Sequence, residues 1–179
     1  MAVTRRRFVA GGLALAGLRA ACVRAEDEQM SEADQKRFEL RPVGRVKQHK
    51  DYAELRIFDE YADALLGLDG WSHAFVMYWF DKNDTPKKRS VLRVHPRGNR
   101  ENPLTGVFAC RAPVRPNPIA LSLCKIVSVE GQVIRVEKID AFDGTPILDI
   151  KPYARGIDSP EGEIKVPPWT RGGSKRERP

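Results

Sequence analysis

Arg111 and Arg115 stand four residues apart on a stretch stiffened by Pro113, Pro116 and Pro118. Each proline fixes its own φ and pushes the preceding residue out of the helical region. The stretch is therefore not a helix, and it is partly ordered before anything binds. Two guanidinium forks and the Asn117 amide on such a backbone suit a carboxylate, a phosphate or a purine edge. A rigid surface turn with solvated arginines fits the same residues, and the loop alone does not choose.

Further chemistry-bearing residues lie towards the C-terminal side. Asp143-Gly144-Thr145-Pro146 is a turn signature in which the Asp side chain bonds the backbone two residues on. Asp149, Lys151 and Tyr153 follow on a short strand, and Asp143 and Tyr153 are the two candidate proton acceptors. His95, between Val94 and Pro96, is placed to line the same cleft, and an unperturbed imidazole titrates near neutral pH. His73 reads as a satisfied core histidine. Trp71, Tyr78 and Trp79 belong either to a base-stacking surface or to the core. The histidines at 49, 73 and 95 are scattered and no CxxC occurs, so there is no zinc pattern. No GxGxxG follows a strand and no P-loop glycine-lysine motif is present, which excludes the two commonest nucleotide cradles.

Arg-x-x-x-Arg-Pro-Asn-Pro-Ile at 111–119, preceded by Gly106-Val107-Phe108-Ala109, resembles the TrmO family. These are S-adenosylmethionine-dependent methyltransferases that modify threonylcarbamoyladenosine beside the tRNA anticodon. Gly67-Leu68-Asp69-Gly70-Trp71-Ser72-His73, Val76-Met77-Tyr78-Trp79-Phe80, His95-Pro96-Arg97-Gly98 and the run 140–153 agree in the same order. The resemblance implies a small β-barrel that works as a homodimer, S-adenosylmethionine as cofactor and tRNA as substrate. With the loop reading above, it makes Lys82, Asn83, Arg111, Arg115, Asn117, Leu121, Ile139 and Asp140 the candidate cofactor-binding residues. Methyl transfer asks the protein to hold the cofactor, align the acceptor and remove a proton. Arg111 suits the cofactor carboxylate, and Asp140 suits its ammonium or its ribose diol; a structural ion pair between the two is the alternative.

This sequence also departs from the family. It passes from Lys47 through Gln48-His49-Lys50-Asp51 directly into the next strand, where many members carry a longer loop with Gln and Gly. Cys110 stands in place of Thr, Ala112 of Ser, Ala120 of Gly and Asp81 of His. These differences support a second reading, an exported derivative that binds a nucleoside-like or carboxylate ligand without turnover.

The elements that must position these residues read as short strands between turn signals. Residues 52–58 alternate as a half-buried strand does, and 60–66 form one or two helical turns with leucines and alanine inward, stopped by Gly67. Residues 74–80 read as a strand buried on both faces. Residues 90–94, 107–110, 119–129 and 133–139 read as further strands, the last two joined by a hairpin at Glu130-Gly131. The expected fold is mainly β: one small closed or strongly curved barrel with one or two short helices, and not a Rossmann sheet.

Residues 1–25 read as a twin-arginine-type signal, with Arg5-Arg6-Arg7, an apolar run at 9–18 and a cleavage site at Val23-Arg24-Ala25. A periplasmic or exported protein follows if the signal is used, with no other membrane association, and a cytoplasmic one if it is not. Residues 26–39 then form a linker, 40–153 the barrel domain, and 154–179 a proline-rich, basic tail. The net charge of +7 sits in the two ends: without 1–25 and 171–179 the body has 22 basic and 23 acidic residues, a net of −1. Overall charge thus gives little support for a phosphate-binding face. The mature chain keeps Cys110 and Cys124, whose spacing does not decide whether they pair; two buried thiols are the simpler expectation.

Overall fold

A computed structural model describes residues 38–170; the signal, most of the linker and the basic end of the tail lie outside the described residues. Among the described residues there are eight strands: β1 Gly44–Gln48, β2 Ala53–Ile57, β3 His73–Trp79, β4 Arg93–Val94, β5 Thr105–Gly106, β6 Ile119–Glu130, β7 Val133–Val136 and β8 Pro146–Pro152. Six of them close into a barrel in the order β1-β2-β7-β6-β3-β8, and β4 and β5 pair as a separate ribbon. Every barrel pairing is antiparallel. Two four-residue helices, α1 Pro86–Arg89 and α2 Arg155–Asp158, and several 3-10 turns complete the structure. The mainly β, barrel expectation is met.

The period-2 pattern of the strands fills the interior. Val46, Leu55, Val76, Ile134, Val136 and Ile147 are almost fully buried, with the small Ala53, Ala120 and Cys124 between them. A barrel this narrow is a packed core rather than a pore, and each large aliphatic side chain so buried stabilises by about 1.5–3 kcal/mol. The long strand β6 serves two neighbours: its first half pairs with β3 and its last residues with β7, with a register shift between Ile126 and Ser128. Gly131, at φ 58, opens the two-residue turn into β7. That is the first central position of a type II′ turn, where glycine is favoured.

Closure occurs at β1–β8, where Gly44 faces Ile147 and Arg45 faces Pro146. The Val43 N–H donates to the Ile147 carbonyl at 2.8 Å, and the Val46 N–H to that of Thr145 at 3.0 Å. The registers then place three connections at one end of the barrel: the β1–β2 turn, the excursion 80–118 between β3 and β6, and the 137–145 loop between β7 and β8. The connection 58–72, the β6–β7 hairpin and the chain beyond β8 lie at the other end.

Several local expectations change. Residues 107–110 are not a strand: Val107–Ala109 form a 3-10 turn with Val107 buried and Phe108 exposed. Of 90–94 only Arg93–Val94 is a strand, paired with Thr105–Gly106, while Ser90 caps α1. β7 ends at Val136. β3 alternates buried and half-buried positions rather than burying both faces. In the 3-10 turn Asp59–Leu65, Leu65 is buried but Leu66 is 96% exposed, since the chain leaves the turn there towards Gly67 at φ 81. Cys124 is buried and Cys110 half-buried, both as free thiols.

Gly44 pairs with β2 on one side and β8 on the other, and an added Cβ would lie 2.3 Å from the Arg56 carbonyl oxygen. Gly44→Ala is expected to destabilise the chain by about 1–3 kcal/mol, as overpacking does in a close-packed core. Urea denaturation of the two proteins, with an unchanged m-value, checks it.

Candidate functional site

The 137–145 loop is held by its carbonyls. Gln48, the last residue of β1, donates from Nε2 to the Ala141 carbonyl at 2.7 Å and to that of Ile139 at 3.3 Å. Tyr78, buried in the core on β3, donates its hydroxyl to the Asp140 carbonyl at 2.6 Å and lies 3.1 Å from Ser122 Oγ on β6. The Ile139 and Ala141 side chains are buried, whereas Asp140 is exposed. Ile139 was a candidate contact, but its side chain is part of the barrel core; it meets the site through its backbone.

The excursion from β3 meets this loop. Lys82 Nζ sits 4.1 Å above the Phe142 ring. Lys88 Nζ donates to the Lys82 carbonyl at 2.9 Å and to Asn83 Oδ1 at 3.0 Å, which occupies the acceptor of the Asn83 amide and not its donors. The proline-stiffened loop returns beside them, with the Phe80 N–H donating to the Pro118 carbonyl at 2.8 Å. Arg111 and Asn117 are exposed, and Arg115 is half-buried with Nη1 3.5 Å from the Ala112 carbonyl. Arg111 makes no ion pair among the described residues, so the structural pair with Asp140 does not form. Leu121 points out from β6, 42% exposed, opposite Met77.

Trp79 is not open for stacking on the face that Arg89 covers at 5.5 Å, and its indole N–H donates to Asp84 at 2.9 Å. That bond, with the Arg89 guanidinium, holds the Asp84 carboxyl below its usual range. His95 Nδ1 lies 2.8 Å from the Asn102 carbonyl, an acceptor, so this nitrogen carries the proton.

The two proton-acceptor candidates separate. Asp143 stands at this end but accepts from the Gln48 N–H at 2.9 Å and from Lys47 Nζ at 3.2 Å. The backbone bond first, and then Lys47, lower its pKa. A carboxylate stabilised in its ionised form is a weak base at neutral pH, and this one is fitted to hold the turn. Tyr153 follows β8 at the opposite end, its ring edge-on to Phe75 at 5.7 Å and its N–H on the His73 carbonyl. The seven residues of β8 lie between the two, roughly 20 Å of strand. Neither Gln48 nor Tyr78 was read from the sequence as holding this loop: Tyr78 stood in the 76–80 run as a stacking or core residue, and Gln48 in the short connection to the next strand. The one available signal was a hydroxyl in the middle of an otherwise apolar strand.

Charge also divides between the two ends. Residues 81–118 carry nine lysines and arginines against three acids, whereas 58–72 carry Asp59, Glu60, Asp63 and Asp69 and no base. The near-neutral body is thus a basic excursion beside the site and an acidic segment opposite. Its net charge concealed the division.

The sequence model of the tRNA-methyltransferase O N-terminal domain matches residues 35–159. A probable S-adenosyl-L-methionine-binding protein of Methanocaldococcus jannaschii is 46% identical over 124 residues, 69% of this chain and 98% of that protein. The human tRNA (adenine(37)-N6)-methyltransferase is 42% identical over 110 residues, 62% of this chain and 24% of that protein. Among solved structures, TrmO from Pseudomonas aeruginosa shares the fold with a TM-score of 0.55 at 24% identity, over 72% of this chain and 62% of that one. This chain therefore spans less than two thirds of that solved chain and about a quarter of the human protein.

Asp143 and Glu54 titrate in the same direction. Arg56 and His49 lower Glu54 as Gln48 and Lys47 lower Asp143. A depressed folded pKa contributes stability above the unfolded value of about 4 and loses it as pH falls below that. The melting temperature is expected to drop as the solution is acidified past about pH 4. Asp143→Asn should start lower at neutral pH and fall less, and thermal melts across that range check both.

Proposed function

This chain belongs to the TrmO family, and from that premise we propose that it is an S-adenosylmethionine-dependent methyltransferase whose acceptor is threonylcarbamoyladenosine in tRNA. The observation that carries the reading is the meeting, at one end of the barrel, of the 80–118 excursion with the pinned Asp140 loop: Lys82 stands over Phe142, Lys88 ties Lys82 to Asn83, and the arginine loop returns to β3 through the Phe80–Pro118 bond. The donor set fits the cofactor. Arg111 is exposed and has no ion pair among the described residues, so its fork is available to a carboxylate. The Asp140 carboxylate suits an ammonium or a ribose diol. Asn83 offers amide donors, and the exposed faces of Leu121 and Phe142 offer apolar cover.

S-adenosylmethionine, when bound, supplies an electrophilic methyl group on a sulfonium. The protein's part is then to orient both partners and to keep the acceptor nitrogen in line. The basic excursion 81–118 supports a polyanionic acceptor: nine cations on one connection attract phosphates in a salt-dependent way even when the whole body is near neutral.

We infer a homodimer on the outer face of β3 and β6. Ile119, Leu121 and Leu123 are 36–49% exposed there, opposite the half-buried Trp79, Met77 and Phe75, and together they form a continuous apolar surface. Leu123→Lys is expected to shift sedimentation from dimer to monomer without loss of the fold. A wild-type chain that sediments as a monomer overturns this assignment.

A second reading keeps the pocket and drops the turnover. The tight β1–β2 turn, in which the His49 N–H donates to the Tyr52 carbonyl, leaves no room for the longer family loop. With the signal-like residues 1–25 this supports an exported binder of a nucleoside-like or carboxylate ligand. One experiment decides between them: calorimetric titration of the full chain with S-adenosylmethionine, followed by labelled methyl transfer to tRNA. The expected result is binding and transfer, both abolished by Arg111→Ala, with stability changed by no more than about 1 kcal/mol. Binding without transfer selects the second reading, and absence of binding overturns the cofactor assignment.

A further inference from the structure

We propose that Gln48 and Tyr78 are positioning residues that aim the Asp140 carboxylate at the cofactor; this rests on the cofactor reading above. The loop between β7 and β8 is tied to strands at its ends, by the Glu137 N–H on the Lys125 carbonyl and the Gly144 N–H on the Val46 carbonyl, and between them three consecutive carbonyls are each met by a side-chain donor. The Gln48 amide reaches those of Ile139 and Ala141 from β1. An amide nitrogen carries two hydrogens, so one side chain brackets the residue between them. The Tyr78 hydroxyl reaches the Asp140 carbonyl from inside the barrel. A phenol has one proton, and it goes to the carbonyl, so the Ser122 hydroxyl donates in the 3.1 Å contact with Tyr78.

These bonds come from different sides, one from a half-buried strand end and one from the core. Ile139 and Ala141 also sink their side chains at 5% and 9% exposure. The peptide planes on both sides of Asp140 are thereby fixed, and the direction of its Cα–Cβ bond follows. The Gln48 side chain is itself held, because the Gln48 N–H is bound by Asp143 at 2.9 Å and the residue pairs with Ala53 across the β1–β2 turn. An exposed carboxylate on an unrestrained loop would lose rotational freedom on binding a cation or a diol. Here the backbone share of that ordering is already done in the folded chain.

The test is a set of calorimetric titrations of the full chain with S-adenosylmethionine, using Gln48→Met, Tyr78→Phe, Asp140→Ala and the pairwise combinations. Gln48→Met and Tyr78→Phe keep the side-chain volume and remove the donor. Each is expected to weaken binding about three- to tenfold, the worth of one or two hydrogen bonds. In the Asp140→Ala background neither should weaken it further, because both act through that carboxylate. Backbone amide relaxation without ligand should show residues 139–142 more mobile in both variants. Unchanged affinity in Gln48→Met and Tyr78→Phe, beside weakened affinity in Asp140→Ala, overturns the inference and leaves the cofactor reading standing. So does a loss fully additive with Asp140→Ala, which marks a merely structural role. Absence of binding by the unaltered chain overturns both.

Discussion

The seam between β1 and β8 is the constraint on which the rest of this structure depends. It consists of two facing pairs, Gly44 with Ile147 and Arg45 with Pro146, extended by the Val43 and Val46 amides. An open six-stranded sheet would leave two unpaired edges and half its apolar side chains facing water. Closure removes both costs at once, and it does so through a residue with no side chain, since a Cβ at 44 would collide with the β2 backbone. It also decides which connections share an end. The β1–β2 turn, the 81–118 excursion and the 137–145 loop come together only because β1 returns to β8.

The site built at that end is made largely of backbone restraint. Carbonyls that no strand pairs are taken up by Gln48 and Tyr78, and the Asp143 carboxylate ties the β1 end to the turn before β8. The exposed Lys82 and Asp140 are thus carried where the excursion meets a pinned loop. The same topology sorts charge along the barrel, with the basic excursion at the site and Asp59, Glu60, Asp63 and Asp69 at the far end. A near-zero total is compatible with a strong local field, because screening over about 8–10 Å lets each end act separately.

Some of this was legible residue by residue. Proline rules kept 111–118 out of a helix; Gly131 and Gly144 take positive φ in the turns their neighbours implied, though the hairpin turn is Gly131-Gln132, one residue beyond the expected Glu130-Gly131. Other readings changed for physical reasons. Residues 107–110 look strand-like because Val107 is buried and Phe108 is not, but a 3-10 turn produces the same short contrast. β3 is apolar throughout without being buried on both sides, because its outer face is the exposed sheet surface shared with β6. Asp143 and Tyr153 looked like neighbours in sequence, and an extended strand carries them to opposite ends.

The sequence by itself determined the family, the barrel class and the identities of the arginine loop, the Asp140 run and the turn before β8. The family rests on the resemblance of ordered motif blocks; the others depend on local φ restrictions, side-chain chemistry and period-2 alternation, which act within a few residues. The tertiary structure alone decided that Ile139 turns inward, that Arg111 stands without an ion pair among the described residues, and that the basic charges gather at one end. It alone brought Gln48 to carbonyls 91 and 93 positions away and Tyr78 to one 62 positions away. Contacts of that range exist only after the barrel has closed, and no local pattern encodes which strand ends will meet.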